Sequence, residues 1–188
     1  MPPEHSPDDD VIAELIIDHR EVDEMLTQLQ GEMSAEERQD TMEHVIAELV
    51  RHAVAEESYL YPAIEDRVPN GKAIADKERA DHHEVEQLLK QLEGEDPHAP
   101  ESLPRITRVA DLLRAHIADE EGNLFPALRQ VYSEQELKNL GDKVRTAKKA
   151  APTRPHPSAP RGEIARKTMG PMVGLVDRTR DLLTGRSV

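Results

Sequence analysis

A long internal repeat constrains the fold of this chain more than any other feature of its sequence. DHREVDEMLTQL at residues 18–29 matches DHHEVEQLLKQL at residues 81–92 at seven of twelve positions. Residues 49–64 match residues 113–128 at seven of sixteen positions. The two offsets are 63 and 64 residues, so we expect one helical hairpin to be used twice.

The repeated segments have the three-and-four spacing of apolar residues that is typical of amphipathic helices. In the first predicted helix the apolar face comprises Ile12, Leu15, Ile16, Val22, Met25, Leu26 and Leu29. No stretch alternates between apolar and polar residues for long enough to predict a strand. The periodicity therefore predicts helices of about 20 residues, the length typical of a bundle.

Capping signals and turns divide the chain into these helices. Ser6, which precedes a proline, predicts the start of the first helix, and capping boxes at Ser34 and Ser133 predict two further starts. The turn PNG at residues 69–71 precedes a helix predicted over residues 71–92. We predict an all-α fold, an up-down-up-down four-helix bundle with a short extra helix and a Pro-rich C-terminal tail.

The predicted organisation has three parts: the bundle and its fifth helix at residues 8–150, a Pro-rich linker at 151–161, and a basic tail with a short helix at 162–188. From residue 143 onward, 11 lysines and arginines face three acidic residues, whereas the whole chain has a net charge of −14. We expect the tail to dock on the acidic body or to be partly disordered. An acidic protein partner or a membrane surface is the alternative, with weak membrane affinity.

Composition excludes several classes of function. The chain has no cysteine, so disulfides, iron–sulfur clusters and thiol catalysis are excluded, and any metal must use nitrogen and oxygen ligands. Aromatic residues make up 2% and the charge is acidic, so we expect no nucleic-acid partner. The acidic start and the lack of a long apolar run predict a cytoplasmic location without stable membrane association.

The repeat also preserves polar residues that packing does not require. These pairs are His19 with His82, His52 with His116, Glu56 with Glu120, and Glu57 with Glu121. A glutamate four residues after a histidine lies on the same helix face, whereas the glutamate five residues after it is rotated away. Buried carboxylates need a positive charge between them. Four imidazoles and two carboxylates fit two divalent ions of iron, manganese or zinc, with each glutamate able to bridge them.

The order His, His-x3-Glu, His, His-x3-Glu, with Tyr-Pro or Phe-Pro five and six residues after each Glu, resembles the hemerythrin-like HHE cation-binding domain over about residues 10–130. This resemblance implies a four-helix bundle around a non-heme di-iron centre. The ligands that it implies are His19, His52, Glu56, His82, His116 and Glu120. Glu56 and Glu120 are then expected to bridge two iron ions.

The sequence departs from the oxygen-carrying hemerythrins on the third helix. Those proteins have a His-x3-His pair there, but the residue four after His82 is Glu86. His83 and Glu86 are therefore only possible extra ligands. The oxygen carriers take an acid five residues after the last histidine, which is Glu121 here, so Glu121 stays an alternative to the geometrically preferred Glu120.

The remaining aromatic and histidine residues have more ordinary interpretations. Tyr59 and Tyr61 follow the first His-x3-Glu motif and are candidates for tuning the iron or donating a proton, with packing as the alternative. The other histidines have no paired carboxylate in the repeat and are interpreted as surface residues: His5, His44, His98 and His156.

The resemblance implies a protein that binds O2, H2O2 or NO, and our first hypothesis is catalase-like peroxide disproportionation in the response to oxidative stress. Whether the protein is an enzyme stays open. The alternative is a non-enzymatic iron, oxygen or redox sensor, or an O2-binding protein. A zinc-stabilised bundle is a third hypothesis. Ferritin-like iron oxidation is disfavoured because that class uses Glu-x-x-His rather than His-x3-Glu.

Overall fold

The computed structural model describes residues 6, 9–158, 177 and 181, and this part of the chain is helical without strands. Its α-helices are α1 (Val11–Leu29), α2 (Ala35–Ala55), α3 (Tyr61–Arg67), α4 (Gly71–Leu92), α5 (Ser102–Asp119), α6 (Phe125–Val131) and α7 (Glu134–Ala150). A first π-helical turn, Glu56–Leu60, joins α2 to α3, and a second, Glu120–Leu124, joins α5 to α6. The described chain therefore forms five continuous helical rods.

Four of these rods form the bundle, and the fifth packs against its outside. α1 packs against α2 and α5, and α4 packs against α3 and α5, whereas α2 and α4 barely touch. α7 lies across α1, α2 and the first π turn. The predicted all-α bundle with an extra helix is confirmed. Among the described residues, no helix is both long and apolar enough to span a membrane.

The helix starts follow mostly from local capping chemistry. The capping boxes at Ser34 and Ser133 both form, and the turn before α4 places Asn70 in the left-handed region with φ of 59°. The predicted start of α1 is wrong. Asp10 is the N-cap, and its carboxylate accepts the Ala13 N–H at 2.9 Å, whereas the Ser6 N–H donates to a nearby aspartate.

The bundle has two apolar clusters with a polar layer between them. The first cluster includes Val22, Leu26, Ile46, Val85, Leu89 and Val109, and the second includes Leu15, Leu60, Ile64, Phe125, Leu128 and Leu137. On α1, His19 follows Leu15 of the second cluster and precedes Val22 of the first. On this rod the polar layer thus lies between the two apolar clusters and is enclosed from both ends.

The segment after α7 contacts the bundle. Arg154 is nearly buried and lies 2.9 Å from Glu93, the residue that follows α4, and the His156 N–H donates to Glu86 on α4 at 3.0 Å. Asp177 accepts backbone N–H groups from this segment. The short helix predicted at residues 170–183 falls mostly outside the described residues, and the predicted boundaries of linker and tail stay predictions.

A substitution at Gly71 tests the close approach of α4 to the end of α3. A β-carbon at Gly71 would lie 2.1 Å from the carbonyl oxygen of Ile64, so the backbone must move. We expect Gly71→Ala to lower the free energy of unfolding by about 1–3 kcal/mol in urea denaturation. The matched control is Gly122→Ala, where a β-carbon meets nothing within 4 Å. Equal stability of the two variants would contradict this account.

Candidate metal centre

The six ligands predicted from the sequence converge in the polar layer at the middle of the bundle. All six are buried: His19, His52, Glu56, His82, His116 and Glu120. Their donor atoms fall into overlapping groups within 4.8 Å of one another. One group joins the first two histidines to both glutamates, and another joins Glu56 to His82 and His116. Glu56 therefore belongs to both halves of the layer.

Glu56 lies between histidines from the two halves of the repeat. Its Oε1 atom is 3.1 Å from His52 Nε2, and its Oε2 atom is 3.2 Å from His82 Nε2. Each carboxylate oxygen thus faces a different imidazole nitrogen. A carboxylate in this position can bridge two ions, one on each side.

Glu120 occupies the equivalent position in the second half. Its Oε2 atom lies 3.3 Å from His19 Nε2 and 3.5 Å from His116 Nε2. Its Oε1 atom lies 3.3 Å from the hydroxyl of Tyr61. The two glutamates therefore occupy the space between two histidine pairs.

Several of these inward atoms make no hydrogen bond with any described residue, although they are buried. They are His19 Nε2, His52 Nε2, Glu56 Oε1 and Glu120 Oε2. Leaving a buried polar atom without a partner costs about 1–3 kcal/mol. Two ligand atoms at right angles, each about 2.1 Å from one ion, lie about 3 Å apart. The spacing and the imidazole–carboxylate donor set thus fit first-row transition metal ions.

Each histidine also has a carboxylate on its outer side. The Nδ1 contacts are His19 with Glu121 at 2.9 Å, His52 with Asp18 at 3.1 Å, His82 with Glu57 at 3.4 Å and His116 with Glu78 at 2.8 Å. Such outer contacts fix the ring so that Nε2 points at the metal. Glu121 lies on the outer side of His19, where it also pairs with Arg20.

The other predicted candidates lie away from the inward donor atoms. The His83 ring bonds Gln87 at 2.9 Å, and Glu86 accepts the His156 N–H. Tyr59 packs against the second apolar cluster. Neither His83 nor Glu86 belongs to the donor groups found among the described residues.

Among the histidines interpreted as surface residues, His44 and His98 are exposed, and His5 lies outside the described residues. His156 differs from that interpretation, because it is partly buried and its ring lies 3.0 Å from Asp177.

Tyr61 reaches the centre itself. Its hydroxyl lies 3.0 Å from His82 Nε2 and 3.3 Å from both Glu56 Oε2 and Glu120 Oε1, and the residue is fully buried. Burial and the neighbouring carboxylates, Glu56 first, raise the pKa of Tyr61 well above 10.0. The phenol therefore keeps its proton and can donate it to a hydrogen bond inside the centre.

The sequence prediction missed the two π turns. Each begins at the inward glutamate and ends just before the residue that precedes a proline. Pro62 and Pro126 have no N–H to donate, which weakens the ordinary helical pattern there. Because π turns inside helices concentrate at functional sites, a proline six residues after each glutamate was the available signal.

The prediction also missed two outer carboxylates, Asp18 and Glu78. Asp18 precedes His19, and the repeat keeps an aspartate at the equivalent position 81, so a signal existed. Glu78 aligns with Leu15 in the repeat, and nothing in the sequence distinguishes it from the other acidic residues of α4. Its contact with His116 follows only from how α4 and α5 pack.

Without metal, the histidines and carboxylates neutralise one another. Burial alone would lower the pKa of His82, but Glu56 and Glu57 outweigh it and raise the pKa to about 9. Burial likewise opposes charge on His52, yet Glu56 and Asp18 hold its pKa well above 6.5. Burial would raise the pKa of Glu56, but His52 and His82 keep it well below 4.5.

The fold and site define a helical-bundle protein with a buried histidine–glutamate centre. The sequence profile of the hemerythrin HHE cation binding domain matches residues 10–128. The chain therefore belongs to the hemerythrin HHE cation-binding family, and this predicted resemblance is confirmed. The family binds metal cations, in agreement with donor groups that can hold a metal ion.

Two relatives extend the comparison. The chain is 31% identical over 137 residues to a hemerythrin-like protein of Schizosaccharomyces pombe, covering 72% of this chain and 68% of the relative. It is 30% identical over 132 residues to a DNA nickase of Nostoc, covering 70% of this chain but only 37% of the nickase. No solved structure matches the chain significantly.

The raised pKa of His82 predicts that metal binding is coupled to proton release. Below pH 9, a metal ion must displace a proton from this ring, so the apparent metal affinity should rise with pH between 6.5 and 9. In the metal-free protein the protonated ring stabilises the fold fully below pH 6.5, and this contribution is lost as pH rises through about 9. Calorimetric zinc titrations in buffers of different ionisation enthalpy measure the released protons. Metal binding without proton release would contradict the prediction.

Proposed function

We propose that this chain holds two iron ions in the centre of its bundle. The proposed ligands are His19, His52, Glu56, His82, His116 and Glu120, with both glutamates bridging. The observation that carries the proposal is the position of Glu56, whose two oxygens face the Nε2 atoms of His52 and His82, from opposite halves of the repeat. Glu120 rather than Glu121 is the proposed ligand, because only Glu120 lies among the inward atoms.

An apolar cavity of about 30 Å³ lies beside this centre. It is lined by the apolar residues Leu49, Val50, Ala53, Val85, Leu89 and Leu113. The rings of His52, His82 and His116 form its polar wall, together with Glu57, Asp81 and Glu86. A volume of this size holds one or two water-sized molecules. Small uncharged ligands such as O2, NO and H2O2 therefore suit it, whereas the carboxylates repel anions.

We further propose that the protein disproportionates hydrogen peroxide. In this reaction one peroxide gives up two electrons and two protons and leaves as O2, and a second takes up two electrons and two protons and leaves as two waters. The iron pair supplies the storage of two electrons between these halves. The chain's own contribution is to orient the ligands, to exclude bulk water from a buried site and to hold protons near it.

Tyr61 is the residue best placed to hold such a proton. Its hydroxyl contacts groups on both sides of the centre and stays protonated because its pKa is raised. The neighbouring ring of His82 lines the cavity. A hydrogen bond from the phenol can therefore reach a small ligand that binds on the His82 side.

Metal content and peroxide turnover test the proposal directly. We expect about two iron ions per chain in protein purified without chelators, and oxygen evolution when peroxide is added. The double variant His52→Ala, His116→Ala should lose both the iron and the turnover, because each half loses an inward imidazole. The matched control, His44→Ala with His98→Ala, replaces exposed histidines and should keep both. Zinc alone, or no metal, would contradict the di-iron centre.

A conservative substitution tests the role of Tyr61. Tyr61→Phe removes only the hydroxyl and should lower the rate of oxygen evolution by at least about tenfold at unchanged iron content. Tyr59→Phe is the matched control, because Tyr59 packs against the second apolar cluster outside the centre. Equal rates in the two variants would limit Tyr61 to a packing role.

A second candidate function is sensing of iron, oxygen or redox state without turnover. The observation that favours it is the contact of the segment after α7 with α4, the helix that carries His82. Metal ligation adds stability to the bundle and can thereby change how this segment is held. A sensor would bind iron and O2 or NO but would not evolve oxygen catalytically, and its segment would change protease sensitivity with iron loading.

We do not propose DNA nicking as an activity of this chain. The match covers only 37% of the nickase, so that activity need not reside in the shared part. The net charge of −14 opposes approach to the phosphate backbone, and the proposed metal ligands are buried. We propose small molecules as its ligands.

A further inference from the structure

One aligned pair of residues differs in burial and in contacts between the two halves of the repeat. Asp18 and Asp81 align, and each directly precedes a proposed ligand histidine. Asp18 is buried and faces His52 Nδ1 at 3.1 Å. Asp81 has 41% of its side chain exposed and pairs with Lys77 at 3.0 Å instead. The sequences of the two halves differ around these aspartates, and a part of the chain outside the repeat also contacts one of them.

That part is α7, which packs on the first half of the repeat. Lys148 on α7 places Nζ 2.5 Å from Asp18 Oδ1 and 3.2 Å from Glu14 Oε1. Arg145 lies 3.4 Å from the other oxygen of Glu14. Two buried carboxylates on α1 thus face two cations on α7. Gly141 allows this close approach, because a β-carbon there would lie 2.9 Å from a backbone oxygen before α1.

Asp18 divides its two oxygens between Lys148 and His52. Oδ1 contacts the ammonium group, and Oδ2 faces the imidazole Nδ1. With one oxygen held, the plane of the carboxylate is fixed and the other oxygen is aimed at the ring. A ring held through Nδ1 keeps Nε2 directed at the centre, where it faces Glu56.

We propose that Lys148 is a positioning residue for the metal position formed by His19 and His52, acting through Asp18. The inference rests on the proposed metal centre and extends it to α7, outside the matched residues 10–128. In the other half, Glu78 contacts His116 as Asp18 contacts His52, and the half-exposed Lys77 contacts Glu78 as Lys148 contacts Asp18. The two metal positions therefore differ in how firmly their histidines are oriented.

Zinc titration of the full-length protein against a competing chelator tests the inference. We expect Lys148→Met to weaken one of two zinc sites about tenfold and to leave the other unchanged, because outer partners of metal ligands typically contribute 10–100-fold to affinity. Lys148→Arg keeps the charge and should restore the affinity. Lys143→Met, which replaces an exposed lysine of the same helix, is the matched control and should have no effect.

NMR of protein labelled with ¹⁵N-histidine separates positioning from simple docking of α7. Lys148→Met should shift the ring signals of His52 and leave those of His116 unchanged, and Lys148→Arg should restore them. A variant that only melts at a lower temperature, with both zinc affinities and the His52 signals unchanged, overturns the inference. If the wild-type protein binds neither zinc nor iron, the proposed function fails. Unchanged His52 signals in the metal-free variant would then overturn the inference as well.

Discussion

Two carboxylates, Glu56 and Glu120, are fully buried at the centre of the bundle, and the rest of the structure is arranged around them. Taking such ions out of water costs several kcal/mol each unless positive charge lies close by. Four imidazoles, one from each rod of the bundle, lie close to these carboxylates. In metal-free protein their protons balance the carboxylates, and in the metal-bound protein the ions do so. Protons and metal ions therefore compete for one set of atoms, and apolar clusters above and below keep water from replacing either.

The backbone of the two rods that carry the His-x3-Glu motifs, α2 with α3 and α5 with α6, contributes directly to this arrangement. Each inward glutamate begins a π turn, and the extra residue in that turn rotates the following helix by about 100° relative to a regular one. The rotation brings the equivalent residues Tyr61 and Phe125 to the centre. Tyr61 places its hydroxyl among the proposed ligands, whereas Phe125 stacks on the His19 ring with centroids 5.9 Å apart. The same backbone device thus supplies a proton donor on one side and an apolar wall on the other.

Much of this was accessible from the sequence, because the information is local. Helix periodicity, capping boxes at Ser34 and Ser133, and the His-x3-Glu spacing each depend on residues within one or two turns, and the repeat showed which polar residues matter. The start of α1 was misplaced because Ser6 and Asp10 are both favourable N-cap residues, and Asp10 is the one that accepts the Ala13 N–H. Contacts such as Glu78 with His116 or Lys148 with Asp18 join residues far apart in sequence, and a single chain gives no signal for such pairs.

The histidines of the two halves of the repeat have different surroundings. Both halves line the apolar cavity, with His82 and His116 from one and His52 from the other, and the Tyr61 hydroxyl lies beside His82. In the half that carries His19 and His52, His19 packs on Phe125, and His52 faces Asp18, which pairs with the partly buried Lys148 of α7. Lys148 thus contacts, from outside the repeat, the carboxylate that faces one of the proposed ligands, His52. The two aligned hairpins therefore have different surroundings, and α7, which lies outside the repeat, contributes to that difference by packing on α1 and α2.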